Sequence, residues 1–86
     1  MATVVYAGEC VIPNEQLIIN NDTLFCEGSY FLPNGVLIEG NSLLVDCNGA
    51  TFDGDFLHAG ITVQGKNAQI QNCVLQNYDI GVLYID

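Results

Sequence analysis

The residues best suited to carry out chemistry lie in the stretch "DGDFLHAG", which contains Asp53, Asp55 and His58. Two carboxylates and an imidazole can act as general acid and base in cleaving a glycosidic bond. Two carboxylates two positions apart in a turn can also supply oxygen ligands to Ca²⁺. These three residues are therefore the catalytic candidates, and Asp53 and Asp55 are the candidate metal ligands. The competing interpretation, a polar loop with a solvated histidine, is the one we favour.

Aromatic and amide side chains form a second group of candidates. Tyrosines with Phe56 could form a platform for stacking sugar rings if they share one face, although aromatic residues more often belong to a core or an end cap. Tyr30, Tyr78 and Asn77 are the candidate ligand-binding residues. Asparagines recur at the expected turns and could instead form an inward ladder of hydrogen-bonded amides: Asn41, Asn48, Asn67, Asn72 and Asn77.

The charge balance excludes some partners. The chain contains ten Asp and Glu residues and a single Lys or Arg, Lys66, which gives a net charge of -9. Such a chain repels phosphate backbones and anionic lipid, so nucleic-acid binding is not expected. No apolar run approaches the roughly 20 residues of a membrane-spanning helix, so membrane insertion is not expected.

Four cysteines are many for 86 residues. None forms a CxxC pair, and the lone His58 cannot complete a zinc site, so a structural zinc ion is not expected. Cys10 and Cys26 flank one segment and could close a loop, which would stabilise the fold by about 3 kcal/mol. Four cysteines allow three pairings; we favour a Cys10–Cys26 disulfide, with Cys47 and Cys73 as buried thiols.

The remaining pattern is one of short strands, with Gly, Asn or Asp interrupting the chain every few residues and no helical periodicity. "GVLIEGNSLLVDCNG" begins at Gly35, and "GITVQGKNAQIQNC" begins 25 residues later at Gly60. A third start, "GVLYI", follows at Gly81. Each unit holds three short strands, and its apolar residues can be buried only by stacking on the next unit. The offset predicts that Val36 lies against Ile61 and Ile38 against Val63.

These repeats resemble the right-handed parallel β-helix superfamily, which includes pectate lyases and many cell-surface proteins. "ECVIPNEQLIINNDTLFCEG" is similar to the segment that precedes the first coil in the surface members. The resemblance implies an all-β fold, a short right-handed parallel β-helix (β-solenoid) of about three coils. We expect a single domain over residues 1–86, with 1–26 as an N-terminal cap segment and 27–86 as coils. Catalytic members have more coils and long loops on one face, which this chain lacks.

The last coil is expected to be open, because "VLYID" is a strand with no covering segment after it. An open coil exposes apolar side chains and strand edges, so we expect a homo-oligomer formed through Val82 and Tyr84. The stretch Val4 to Ile12 is expected to cap the other end.

The sequence thus predicts a non-enzymatic, structural and self-associating module of the extracellular medium or cell surface. The location rests on the resemblance, since residues 1–9 do not read as a signal peptide. The alternative is a carbohydrate-binding or carbohydrate-active domain, of the polysaccharide lyase or hydrolase kind. No cofactor is expected apart from the candidate Ca²⁺.

Overall fold

The computed structural model describes residues 10–85, which form ten short strands and no helix. The strands are β1 (Ile18–Ile19), β2 (Thr23–Leu24), β3 (Ser29–Phe31), β4 (Val36–Glu39), β5 (Leu44–Asp46), β6 (Thr51–Asp53), β7 (Ala59–Gln64), β8 (Gln69–Gln71), β9 (Val74–Gln76) and β10 (Ile80–Ile85). No helix in the described part of the chain could span a membrane.

The strands stack into three parallel sheets, in the orders β1-β4-β7-β10, β2-β5-β8 and β3-β6-β9. Three consecutive strands therefore make one lap, or coil: coil one is β1–β3, coil two is β4–β6, coil three is β7–β9, and β10 starts a fourth. Every strand pairs with the strand one lap away. We number the sheets one to three in that order. The first corner follows sheet one, the second follows sheet two and the third follows sheet three. The fold is a parallel β-solenoid of about three turns, as the repeat predicts.

The register confirms the 25-residue offset. Val36 pairs with Ile61, and Ile38 pairs with Val63. The shorter step to the third repeat is also confirmed, since Ile61 pairs with Val82. A shift of one residue would turn each apolar column outward, so the alternation of apolar residues fixes this register.

The first coil begins inside the segment expected to act as a cap. β1 pairs with β4, and β2 pairs with β5, so residues 18–24 are already part of the stack. Val11 forms a further parallel bridge with Phe25. The expected cap Val4–Ile12 lies outside the described residues apart from its last three positions.

The core consists of columns of inward side chains that stack from coil to coil. Ile38, Val45, Phe52, Ile61 and Val63 are completely buried. Phe52 in coil two packs edge to face against Phe25, with ring centroids 5.5 Å apart. The rings of Phe52 and Tyr30 also meet edge to face, with centroids 6.4 Å apart. Burying each such side chain contributes about 1.5–3 kcal/mol, so stacking of coils is the main source of stability.

Both pairs of cysteines are bonded, Cys10 to Cys26 and Cys47 to Cys73. The first pairing is the expected one, whereas the expectation of free thiols at Cys47 and Cys73 is wrong. Cys26, Cys47 and Cys73 lie at the second corner on three successive coils. Each disulfide therefore joins segments about one lap apart along the chain, with sequence separations of 16 and 26 residues.

The expected inward amide ladder is also wrong, because the five asparagines are exposed. Asn48, Asn67, Asn72 and Asn77 have φ between 55° and 62°, in the left-handed region that lets the chain turn a sharp corner. Asparagine tolerates this region better than most residues, because its short polar side chain can hydrogen-bond locally. The asparagines thus shape the corners from outside the core.

Candidate functional site

The acidic stretch Asp53–His58 forms the third corner of coil two and is tied to the corner above it. The amide of Gly54 donates to the carbonyl of Gln76, and the amide of Phe56 donates to the carbonyl of Asn77. Phe56 has φ of 71°, which is unusual for a bulky residue and marks local strain. The corner is therefore a defined turn whose backbone conformation is held by the next coil.

The structure brings the candidate acidic residues to this corner but gives them separate partners. Asp53 accepts a 2.6 Å hydrogen bond from the side-chain amide of Asn77. Asp55 accepts from the amide of Leu57 and lies 4.0 Å from Nδ1 of His58, with both side chains exposed. Such an exposed pair contributes little to stability, and its geometry is weakly restrained.

Asp46 does not join this corner. It lies on sheet two, where its carboxylate accepts hydrogen bonds from Gln71 and Asn72 of the next coil and from the amide of Asn48. Its role in the structure is to link coils two and three.

Tyr78 is the best-anchored functional candidate, and sequence reasoning assigned it to a sugar platform. Its ring lies against Gly54 and Gly60, so close that a Cβ at Gly54 would come within 2.3 Å of the ring. Its hydroxyl donates a 2.8 Å hydrogen bond to the carbonyl of Leu32, two coils earlier. Tyr78 therefore links the third corner of coil three to that of coil two through Gly54 and to that of coil one through Leu32.

Burial of the ring, together with the negative charges of Asp53, Glu15 and Asp55, raises the pKa of Tyr78 to about 12. Because the folded pKa lies above the ordinary 10.0, the unfolded chain loses this proton first. The contribution of the protonated Tyr78 hydroxyl to the free energy of unfolding is therefore complete below pH 10 and is lost as the pH rises to about 12.

We expect Tyr78→Phe to cost about 1 kcal/mol near neutral pH through the lost hydrogen bond. The variant should also lose part of the wild-type decline in unfolding free energy between pH 10 and 12, measured by urea titration. Tyr84→Phe is the control, since Tyr84 is exposed. An alkaline decline in Tyr78→Phe as steep as in the wild type would contradict this role.

Tyr30 has a different environment from Tyr78. Its ring packs toward Phe52, and its hydroxyl donates to the carbonyls of Cys26 and Glu27. Asn77 is occupied by Asp53, as described above. Each candidate ligand-binding residue thus already has a structural partner.

No group of three or more His, Cys, Asp or Glu residues that could hold a metal ion occurs within residues 10–85. Calcium binding by Asp53 and Asp55 remains a prediction. A hollow of about 340 Å³ on the outside of sheet one contains no titratable side chain, and its lining is Gln16, Ile18, Asn34, Val36, Leu37 and Thr62.

The exposed surface of coil three is the other candidate site. The strand β10 covers Ile61 and Val63 of this coil, and both are completely buried. Ile70 and Leu75, which β10 does not cover, are only partly buried. Their counterparts one coil earlier, Val45 and Phe52, are completely buried.

Sequence reasoning named Phe56 for a sugar platform but missed its neighbour Leu57 at the third corner. Phe56 and Leu57 are both exposed next to the acidic residues. The apolar pair is visible in "DGDFLHAG", but its exposure and the left-handed backbone at Phe56, with φ of 71°, are not.

The fold and its corners define the class of protein: an all-β parallel solenoid of about three turns, braced by two disulfides. Comparisons with protein-family models, with curated proteins and with solved structures find no match to this chain.

Proposed function

We propose that the chain is a non-enzymatic, structural β-solenoid module of the extracellular medium or cell surface that self-associates through its last coil. The observation that carries the proposal is the difference between covered and uncovered inward residues. Where a further strand lies above coil three, the residues beneath it are completely buried; elsewhere, the equivalent residues are partly exposed.

The uncovered surface consists of inward apolar side chains from all three sheets. Its members are Ala68, Ile70, Cys73, Leu75, Val82 and Tyr84. The outer edges of β8, β9 and β10 end the three sheets among the described strands. Unpaired edges next to exposed apolar side chains favour association with another β-structure.

A second copy of the chain is the occupant that this surface fits best. The surface has no charged inward residue, so two copies can face each other without burying an unpaired charge. A twofold arrangement places the same patch on both partners and closes the assembly as a dimer. The copies repel each other overall, because each carries a net charge of -9.

The proposed extracellular location and the proposed relation to the right-handed parallel β-helix superfamily are supported less directly. Two disulfides are typical of small proteins in oxidising compartments. The parallel coils and their cysteine positions are compatible with the cell-surface type of right-handed parallel β-helix. A right-handed sense is also the strong preference for connections between parallel strands.

Carbohydrate binding is the alternative, and the geometry supports it less well. A sugar platform needs several free aromatic faces. Phe56 and Tyr84 are exposed, but Tyr30 packs toward Phe52 and Tyr78 lies against two glycines. Acid-base cleavage needs held carboxylates, whereas Asp55 and His58 form only an exposed pair.

We expect sedimentation equilibrium to show a monomer–dimer equilibrium for the wild type. Tyr84→Lys should weaken dimerisation at least tenfold, because association would bury its charge. Phe31→Lys is the matched control: Phe31 is 65% exposed against 63% for Tyr84, but it lies on the outer face of coil one. Added salt should strengthen the dimer by screening the acidic copies.

A wild type that stays monomeric at all concentrations would contradict self-association and favour coverage by another occupant, such as further coils of a longer chain. Equal weakening by Tyr84→Lys and Phe31→Lys would place the interface elsewhere. Binding on a glycan array, lost in Tyr78→Ala, would instead support the carbohydrate alternative.

A further inference from the structure

The triplet Asn21-Asp22-Thr23 spans the end of the turn between β1 and β2 and the first residue of β2. It is the only place in the chain where Asn is followed two positions later by Ser or Thr without an intervening Pro. This pattern is the acceptor signal for N-linked glycosylation in secreted proteins.

The local structure places the three residues in different environments. Asp22 turns toward coil two, where its Oδ1 accepts a 2.8 Å hydrogen bond from the amide of Leu44. Thr23 is buried, and its hydroxyl donates to the carbonyl of Asn21. Asn21 is left exposed at a bend of the first corner.

The side-chain amide of Asn21 makes no hydrogen bond within residues 10–85. Other asparagines at the corners use their amides to join coils. Asn41, at the same corner one coil later, accepts a 2.9 Å hydrogen bond from the amide of Lys66. Asn72 and Asn77 donate to Asp46 and Asp53. A substituent on Asn21 would therefore break no contact between coils.

We infer that Nδ2 of Asn21 carries an N-linked glycan. The inference rests on the proposed extracellular location, since disulfide formation and N-glycosylation both belong to the secretory route. In the transfer, Nδ2 attacks the anomeric carbon of a lipid-linked oligosaccharide. The bond from that carbon to the diphosphate oxygen breaks, the lipid diphosphate leaves, and Nδ2 loses one proton. Because Thr23 is buried after folding, attachment must precede closure of the first coil.

The test is peptide mapping by mass spectrometry of the protein produced in its natural source. The wild type should yield the peptide containing Asn21 with an added saccharide mass. Asn21→Gln and the near-isosteric Thr23→Val should abolish the addition, whereas Thr23→Ser should retain it. Asn41→Gln is the matched control, because Asn41 lies at the same corner outside the triplet pattern, and it should leave the addition unchanged.

Two results would overturn the inference while leaving the proposed location intact. One is a secreted, disulfide-bonded protein whose Asn21 is unmodified. The other is a saccharide that persists in Asn21→Gln. A reduced protein found only inside the cell, with Asn21 unmodified, would overturn the inference and the proposed location together.

Discussion

Gly65→Ala should lower the free energy of unfolding by about 3–5 kcal/mol, among the largest effects expected of one substitution. A Cβ at Gly65 would lie 2.0 Å from the carbonyl oxygen of Gly40 in the coil beneath. Because the contact is with backbone, no side-chain rotation can relieve it. Gly65 also has φ of 133°, a conformation that alanine rarely adopts.

The first corner is where this clash would act. The amide of Gly40 donates to the carbonyl of Gln64 at 3.0 Å, and the amide of Ser42 donates to the carbonyl of Lys66 at 2.8 Å. Moving the corners apart to admit a methyl group would lengthen both bonds. It would also disturb the neighbouring pair Ile38 and Val63, which is completely buried.

Gly49→Ala is the matched control. Gly49 has φ of 84°, but a Cβ there would have no heavy atom within 4 Å. The control therefore measures backbone strain alone, which is worth about 1–2 kcal/mol. Urea unfolding of the two variants and the wild type gives the comparison. Equal losses in the two variants would show that coils do not stack closely at Gly65.

Removing the Cys47–Cys73 disulfide should cost about 3.5 kcal/mol. The bond spans 26 residues, and loop-closure entropy in the unfolded chain gives this magnitude. Removing Cys10–Cys26, which spans 16 residues, should cost about 3 kcal/mol. Since native proteins have a total stability of about 5–15 kcal/mol, reduction of both bonds should remove a large part of the stability and lower the unfolding midpoint markedly.

Urea unfolding of the double variants Cys47→Ala with Cys73→Ala and Cys10→Ala with Cys26→Ala measures the two contributions separately. Circular dichroism with and without reductant measures their combined effect. A reduced wild type that keeps its β-spectrum and unfolding midpoint would contradict bracing by disulfides. A cost below 1 kcal/mol for the Cys47 and Cys73 variant would show that coils two and three hold together without it.

The repeat was predictable because each of its parts has a local physical cause. Alternating apolar residues such as Val36 and Ile38 define the inward face. Gly35, Gly60 and Gly81 mark where the repeats begin, at offsets of 25 and then 21 residues. The first coil was harder to recognise. Gln16 stands where later repeats have Gly35 and Gly60, and its φ of 60° is close to the 68° of Gly35.

The second disulfide was not predictable from the offset alone. A shift of 25 residues places Cys47 on Asn72, one position before Cys73. The left-handed backbone of Asn72, with φ of 60°, redirects the chain at the corner, and the next residue bonds to Cys47. The same corner geometry explains why the asparagines face outward rather than forming an inner ladder.

The candidate site was predicted in composition but not in arrangement. Sequence proximity brought Asp53, Asp55 and His58 into one corner, as expected for a short turn. The contact between Tyr78 and Leu32 could not be predicted, because it spans 46 residues and depends on two intervening glycines. Burial of an aromatic ring against glycine has no signature in spacing alone.

The most direct test of the account is the set of proton contacts between strands in nuclear Overhauser spectra of the isotopically labelled protein. Parallel stacking predicts backbone contacts that connect Val36 with Ile61 and Ile61 with Val82, one lap apart. Close Hα–Hα contacts between consecutive strands such as β4 and β5 would instead reveal antiparallel hairpins and contradict the solenoid.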